Sequence, residues 1–266
     1  MAAPVYEAAG VPMMTTTASH PRLTEEGRHN VFRLIGRDDV QGRLAADLLA
    51  GQYRHGRIAI LHDGSTYGAG LAAEVRRGLR RQGVSEELRA AYQPGLDDYS
   101  TVVEQLRAAD IDVAYIGGYG PDAARIVRVL RERGDRLRLV GGHALGMAEF
   151  WELAGAAGAG TVFTGRTDVG PADNRVLHEL RARGLGWRPT SLATYAAVEV
   201  WAQAAGRAST LDPVTVTETL HRAKFESVLG RVAFDAKGDL KDAGWRWQVW
   251  MNGDYEPLTS AVAMGR

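Results

Sequence analysis

The stretch from Arg57 to Gly70, RIAILHDGSTYGAG, limits what this chain can fold into more than any other. Ile58, Ala59, Ile60 and Leu61 form an apolar run long enough for a strand buried on both faces and too short for a core helix. His62, Asp63 and Gly64 then turn the chain. From Tyr67 the spacing becomes helical, with Leu71, Val75 and Leu79 on one stripe and Glu74, Arg76, Arg77, Arg80 and Arg81 on the other. The pattern is strand, polar loop and crossover helix. In open α/β sheets ligands collect beyond the carboxyl ends of the strands, so the loop from Asp63 to Tyr67 is placed to hold a small molecule.

The same rhythm recurs downstream. Glu87 to Tyr92 reads as a weak strand, Asp97 or Asp98 caps a helix over Ser100 to Ala109, and Val113 to Ile116 is a buried strand ending in Gly117, Gly118, Tyr119, Gly120 and Pro121. The proline suits the first turn of a helix running to Arg133. Leu137 to Val140 is a strand ending in Gly141, Gly142 and His143, Phe150 to Leu153 a short helix, and Thr161 to Thr164 a further strand. Upstream, Val11 to Thr15 and Val31 to Ile35 are strand candidates, Pro21 closes off regular structure, and Asp38 to Ala50 is a helix with Leu44, Leu48 and Leu49 facing inward. Four strands alternating with helices over residues 57 to 166 predict a parallel, doubly wound sheet.

Beyond Gly165 the spacing loosens. Asn174 to Arg183, Thr190 to Ala208 and Pro213 to Ala223 read as helices, the second with Ala196, Val200 and Ala204 on a single packing row. Val232 to Phe234 and Trp245 to Met251 return as strands, with Asn252 and Gly253 turning into a last extended piece. A tail that leaves the βα rhythm and comes back as strand fits a chain crossing between two lobes.

Composition removes several classes of function. Lys plus Arg and Asp plus Glu are 32 each, so no global field favours nucleic acid or an anionic membrane. The absence of cysteine excludes disulfides, thiolate metal sites and a cysteine nucleophile. No apolar run approaches the roughly 20 residues that span a bilayer, and the segment MAAPVYEAAGVPMM has neither the basic residues nor the apolar core of an export signal.

Six segments in order, VYEAAGVPMMTTTASHPRLT, FRLIGRDDVQG, AILHDGSTYGAGLA, AYIGGYGPDAARIVR, TYAAVEVWAQA and VLGRVAFDAKGDLK, together make the chain resemble the branched-chain amino acid binding proteins of the type I periplasmic class. These are receptor components of ABC importers. The resemblance implies two α/β lobes with parallel, doubly wound sheets, joined by crossings near Gly36, Arg166 and Gly244. Lobe one would hold residues 1–37 and 167–243, and lobe two residues 38–166 and 244–266. Members of the family open with a signal peptide and then three strands and two helices of lobe one. By resemblance all of these would precede Met1, so lobe one is expected to be incomplete, either because the true start lies upstream or because the chain is a fragment. Location follows from the same choice: periplasmic or extracytoplasmic by resemblance, cytoplasmic if the start is genuine.

The resemblance also implies a site and a mechanism. Thr17, Ala18 and Ser19 map onto the hydroxyls and backbone amides with which one lobe grips a ligand carboxylate. Tyr67, Tyr119 and His143 map onto the opposite lobe, and closure around the ligand is sensed by a membrane permease. No cofactor, metal or catalysis is implied, and a monomer is expected. His143 departs from the family, which places an acidic residue there to take the ligand ammonium. A neutral imidazole offers one acceptor and no charge, and near its ordinary pKa of about 6.5 protonation would repel a cation. The ligand is therefore expected to keep a carboxylate or amide without having to be an α-amino acid.

Other readings of the same residues stay open. Gly68, Gly70 and Ala73 match a G-x-G-x-x-A dinucleotide fingerprint, which would make the chain a Rossmann-type enzyme. That motif needs its first glycine directly after the strand, whereas His62 to Tyr67 intervene here, so close helix packing is the simpler account. A cytoplasmic ligand sensor built on the same two lobes is the other alternative. His62 with Asp63 reads as a capped strand end, and Ser65 and Thr66 have no identifiable base. Glu25, Glu26 and the arginines of the Tyr67 helix read as solvated faces.

Overall fold

The computed structural model describes residues 2–166, 175–185, 189–242 and 244–259. Helix α1 (Ala3–Ala8) carries proline in its first turn, where a missing amide hydrogen is harmless, and is followed by β1 (Met13–Thr15), α2 (Arg22–Glu25) and β2 (Val31–Arg33). β1 and β2 pair in parallel with Met14 beside Phe32. Pro21 does not close off regular structure as the sequence implies. Its φ of −56° already lies in the helical range, so it begins α2 instead.

Next come α3 (Asp38–Gln52), β3 (Ile58–His62), α4 (Thr66–Arg81), β4 (Leu88–Ala91), α5 (Ser100–Ala108), β5 (Val113–Gly117), α6 (Gly120–Glu132), β6 (Arg138–Gly141), α7 (Ala148–Ala154) and β7 (Val162–Arg166). Five strands, the weak one at Glu87 to Tyr92 among them, lie in the order β4-β3-β5-β6-β7, and every pairing among them is parallel. Alternate residues of β3 divide between two cores. Ala59 and Leu61 face Val103, Leu106 and Ile126, while Ile58 and Ile60 face Leu71, Val75 and Leu79. This division is the period of two expected of a strand covered on both faces. Asp98 holds the start of α5, its Oδ1 accepting from the Ser100 amide at 2.8 Å. The inward face of α3 differs from the leucines expected. Leu49 is fully buried, but Leu44 and Leu48 are only partly so, and Gly42, Ala45, Ala46 and Ala50 do the packing. A Cβ at Gly42 would collide with Glu74, and one at Gly78 with Ala46, so α3 and α4 approach through small residues.

The following segment holds α8 (Arg175–Ala182), α9 (Pro189–Ala208), α10 (Pro213–Arg222), β8 (Lys224–Ser227) and β9 (Gly230–Ala233). Asp212 caps α10 by accepting from the Thr215 amide. On α9, Ala196, Val200 and Ala204 are fully buried while Tyr195 and Val198 are exposed, so the helix packs on one side. β8 and β9 form an antiparallel hairpin with Phe225 opposite Val232, of which the sequence indicates only the second strand. Phe32, Leu34, Val200, Leu220, Phe225 and Phe234 share one core. The expected helix start at Asn174 and the expected lobe bounds at Thr167 and Ala243 lie outside the described residues, as do residues 260–266 of the expected second lobe.

A final hairpin, β10 (Trp245–Met251) and β11 (Asp254–Pro257), turns at Asn252 and Gly253 with φ of 51° and 92°. β10 lies beside β7, completing a seven-stranded sheet. The polypeptide forms two compact units, Met1–Arg37 with Arg166–Gly244 and Asp38–Gly165 with Trp245–Arg266. Among the described residues no helix is long and apolar enough to cross a membrane.

Candidate functional site

In the second unit β3, β5 and β6 end side by side, with His62 beside Gly117 and Ile116 beside Gly141. The segments that leave their carboxyl ends bring Tyr67, Tyr119 and His143 together. The Tyr67 ring lies 5.4 Å from Tyr119 and 5.3 Å from His143, centroid to centroid. The imidazole also stacks on Trp245, at 5.3 Å and 29° between planes. Trp245 is part of this cluster although its sequence pattern marks only a strand. Glycine is needed where the segments converge, since a Cβ at Gly142 would sit 2.6 Å from the Tyr67 hydroxyl. The turn after His143 is tied to the hairpin by Trp250, whose indole donates to the Leu145 carbonyl at 2.8 Å. Tyr119 is 49% exposed, whereas Tyr67 and His143 are largely covered.

A buried polar layer lies beneath these rings. Gln41, fully buried on α3, accepts at Oε1 from the His143 amide at 3.0 Å and from the Thr164 hydroxyl at 2.5 Å. Its Nε2 donates to Asp38 Oδ1 at 2.9 Å, which fixes which end of the amide is which. His143 Nδ1 lies 3.3 Å from both Tyr67 Oη and Gln41 Oε1. Burial pushes the His143 pKa down to about 4, because there is too little water to solvate an imidazolium. The expectation that this ring would gain charge near pH 6.5 is therefore corrected: it is neutral at physiological pH. Burial, with the nearby Asp38 charge second, holds the Tyr67 phenol well above its ordinary pKa, and burial raises that of Tyr119. Neither Gln41 nor Thr164 is singled out as a site residue by the sequence reading. Their one signal is a polar side chain at a position where the pattern calls for an apolar one.

Thr17, Ala18 and Ser19 lie in the first unit, on the loop between β1 and α2. Thr17 and Ala18 are exposed and Ser19 is buried. The loop is held at both faces of its backbone. Thr15 Oγ1 accepts from the Ala18 amide at 3.1 Å, and the fully buried Arg33 donates to the carbonyls of Ala18 at 2.7 Å and His20 at 3.0 Å. The same guanidinium pairs with Asp239 at 2.7 Å and donates to Thr24, whose hydroxyl donates to the second oxygen of Asp239. Sequence alone does not single out Arg33, because its partner stands 206 positions away.

The remaining candidates have structural tasks. His62 Nδ1 accepts from the Gly64 amide, Asp63 Oδ1 accepts from the amide and hydroxyl of Ser65, and Ser65 Oγ caps α4 by accepting from the Gly68 amide. Among the described residues no cluster of His, Asp or Glu is arranged to hold a metal ion. Glu25 and Glu26 are not simply solvated: Glu25 pairs with Arg37 and Lys237, and Glu26 with Arg22 and Arg28. Arg76 likewise pairs with Glu86. At Gly68 a Cβ would strike the Asp63 carboxylate and the Gly117 carbonyl, so this glycine serves close packing of α4 on β5. Gly68→Ala should cost about 1–3 kcal/mol by forcing backbone apart. A thermal melt that matches the native one would refute that account.

A family model described as periplasmic binding protein matches residues 1–250. Leu/Ile/Val-binding protein homolog 1 of Brucella abortus is 33% identical over 262 residues, 96% of this chain and 70% of the relative. The Leu/Ile/Val-binding protein BraC3 of Rhizobium johnstonii is 33% identical over 248 residues, 92% of this chain and 68% of the relative. Among solved structures, a leucine-binding protein of Thermotoga maritima matches with a TM-score of 0.84 at 24% identity, covering 97% of this chain and 75% of that one. A branched-chain amino acid transporter substrate-binding protein of Streptococcus pneumoniae, in complex with isoleucine, matches with a TM-score of 0.81 at 22% identity, covering 96% and 74%. At these identities the two structures speak to the fold, which is the two-lobed type I arrangement.

Proposed function

This chain belongs to the periplasmic binding protein family, and from that premise we propose that it is a solute receptor of an ABC importer, without catalysis. Its ligand would be a branched-chain amino acid or a related small carboxylate or amide. The observation that carries the reading is the gathering of Tyr67, Tyr119 and His143 at the carboxyl ends of neighbouring parallel strands, the place where α/β sheets hold ligands. The Leu/Ile/Val-binding relatives support the ligand class. In this proposal residues 1–37 and 167–243 form lobe one and residues 38–166 and 244–266 lobe two. Thr17, Ala18 and Ser19 grip the ligand carboxylate, and the aromatic cluster covers the remainder. Closure is favoured only by the difference in ligand affinity between open and closed forms. A permease in the membrane reads the closed form, and the receptor works as a monomer on the extracytoplasmic side.

Titration calorimetry against leucine, isoleucine, valine and their deaminated analogues tests the proposal. Saturable binding of one of them at micromolar or lower Kd is expected, and no heat from any would end it. Tyr119→Ala should weaken binding by about 2 kcal/mol, roughly thirtyfold, as expected for a buried aromatic contact in a complex. Because the ring is half exposed without ligand, the melting temperature of the free protein should barely move. A large loss of stability with unchanged affinity would assign Tyr119 to the core.

A further inference from the structure

The polypeptide passes from one unit to the other at three places, Arg37 to Asp38, Gly165 to Arg166 and Gly244 to Trp245. On the second unit's side, each of them carries a side chain of the layer beneath the rings. Asp38 opens α3 and accepts from Gln41 Nε2 at 2.9 Å. Thr164, one residue before Gly165, donates to Gln41 Oε1 at 2.5 Å. Trp245 stacks on the His143 imidazole, and the His143 backbone amide donates to the same Gln41 oxygen at 3.0 Å. One fully buried amide thus meets two of the passages directly and the third through His143. Its partners are as dry: Asp38 and Thr164 are each 1% exposed and Trp245 is 5% exposed. In such a layer a donor that loses its acceptor finds no water to replace it, so the bonds are kept or broken together. Nor is there room to slip, since a Cβ at Gly165 would come within 2.9 Å of the Gln248 side chain. A shift of the backbone at one passage therefore carries the His143 turn with it. That turn bears on the Tyr67 hydroxyl, 3.3 Å from His143 Nδ1, and through the Tyr67 ring on Tyr119.

From this we infer that Gln41 is a positioning residue that couples the ring cluster to the three chain passages, so that a ligand seated on the rings and the backbone at the passages share one conformational equilibrium. This role rests on the receptor reading above, of which it names the part that turns binding into closure. A chain of contacts couples two places only if breaking it in the middle changes how they answer each other.

Two measurements decide the matter, each with the tightest binder among leucine, isoleucine, valine and their deaminated analogues. The first is a double-mutant cycle. The hydroxyls of Thr164 and Tyr67 share no hydrogen bond and are linked through Gln41 and His143. Calorimetry on the native chain, Thr164→Val, Tyr67→Phe and the double variant should show effects on Kd that depart from simple multiplication by about fivefold or more. Each chain is measured well below its urea midpoint, so a loss of stability alone does not move this result. The second reads closure. The chain has no cysteine, so cysteines introduced at the exposed positions Arg128 and Arg183, one in each unit, take a dye pair. At saturating ligand the energy transfer should change in the native chain, and Gln41→Leu should lose most of that change; Thr164→Val takes its place if Gln41→Leu does not fold. Effects on Kd that multiply within about twofold overturn the role of Gln41 and leave the receptor reading intact. So do a variant that closes like the native chain and a native chain whose energy transfer ignores bound ligand. No binding of any of these compounds to the native chain overturns both.

Discussion

Arg33→Met is expected to destabilise the first unit by roughly 3–5 kcal/mol, the range found when one partner of a buried ion pair is removed. The guanidinium is fully buried, and Asp239 beside it is 4% exposed. Without Arg33, that carboxylate keeps the Thr24 hydroxyl and Arg37 but loses its closest buried cation. The carbonyls of Ala18 and His20 lose their donor at the same time. Lysine should not rescue the site, because a single ammonium lacks the planar fork that reaches Asp239, Thr24 and both carbonyls together. Paired replacement, Arg33→Met with Asp239→Leu, should recover much of the stability, since an apolar pair leaves no buried charge. Urea unfolding of the three variants provides the comparison. A single variant as stable as the native chain would show that the pair contributes nothing. Arg33 anchors the loop of Thr17, Ala18 and Ser19, and under the proposed function, in which this loop grips the ligand, the paired variant should regain stability without regaining ligand affinity.

Acid should weaken the second unit over a defined interval. The pKa of His143 is about 4 in the folded protein and about 6.5 when unfolded. Its folded value is the lower one, so between these pH values the unfolded chain binds a proton that the folded chain refuses. The residue imposes no penalty above pH 6.5. As pH falls from 6.5 to 4 the folded state loses up to about 1.4 kcal/mol per unit, roughly 3 kcal/mol in all, and below pH 4 the effect levels off. His29 and His62 are also shifted downward by burial, so total stability follows several groups. His143→Gln isolates the residue. The gap between native and variant stability should change with a midpoint inside this interval, and a pH-independent gap would refute the assignment.

Much of this architecture is legible in short windows of sequence. The run Ile58 to Leu61, the helical stripe Leu71, Val75 and Leu79, and the glycine-rich ends of β5 and β6 each report a local rule, and each forms the element expected. The elements that escape are those whose local pattern is weak. β8 is KFES, with only Phe225 buried, and it is a strand because β9 folds back upon it. The packing face of α3 escapes for a related reason: leucine spacing points to Leu44 and Leu48, but the close approach of α4 rewards glycine and alanine.

The candidate site divides along the same line. Tyr67 and Tyr119 each follow a buried strand that the βα rhythm marks, and the resemblance adds His143, but that β3, β5 and β6 lie side by side is decided by the sheet. Sequence does not determine what the imidazole is. Its neutrality follows from burial, and its backbone amide is held by Gln41, 102 positions before it, whose carbonyl Thr164 also reaches across 123 positions. Periodicity is a property of neighbours along the chain, whereas desolvation and lone-pair occupancy are sums over neighbours in space, and only the folded chain performs that sum.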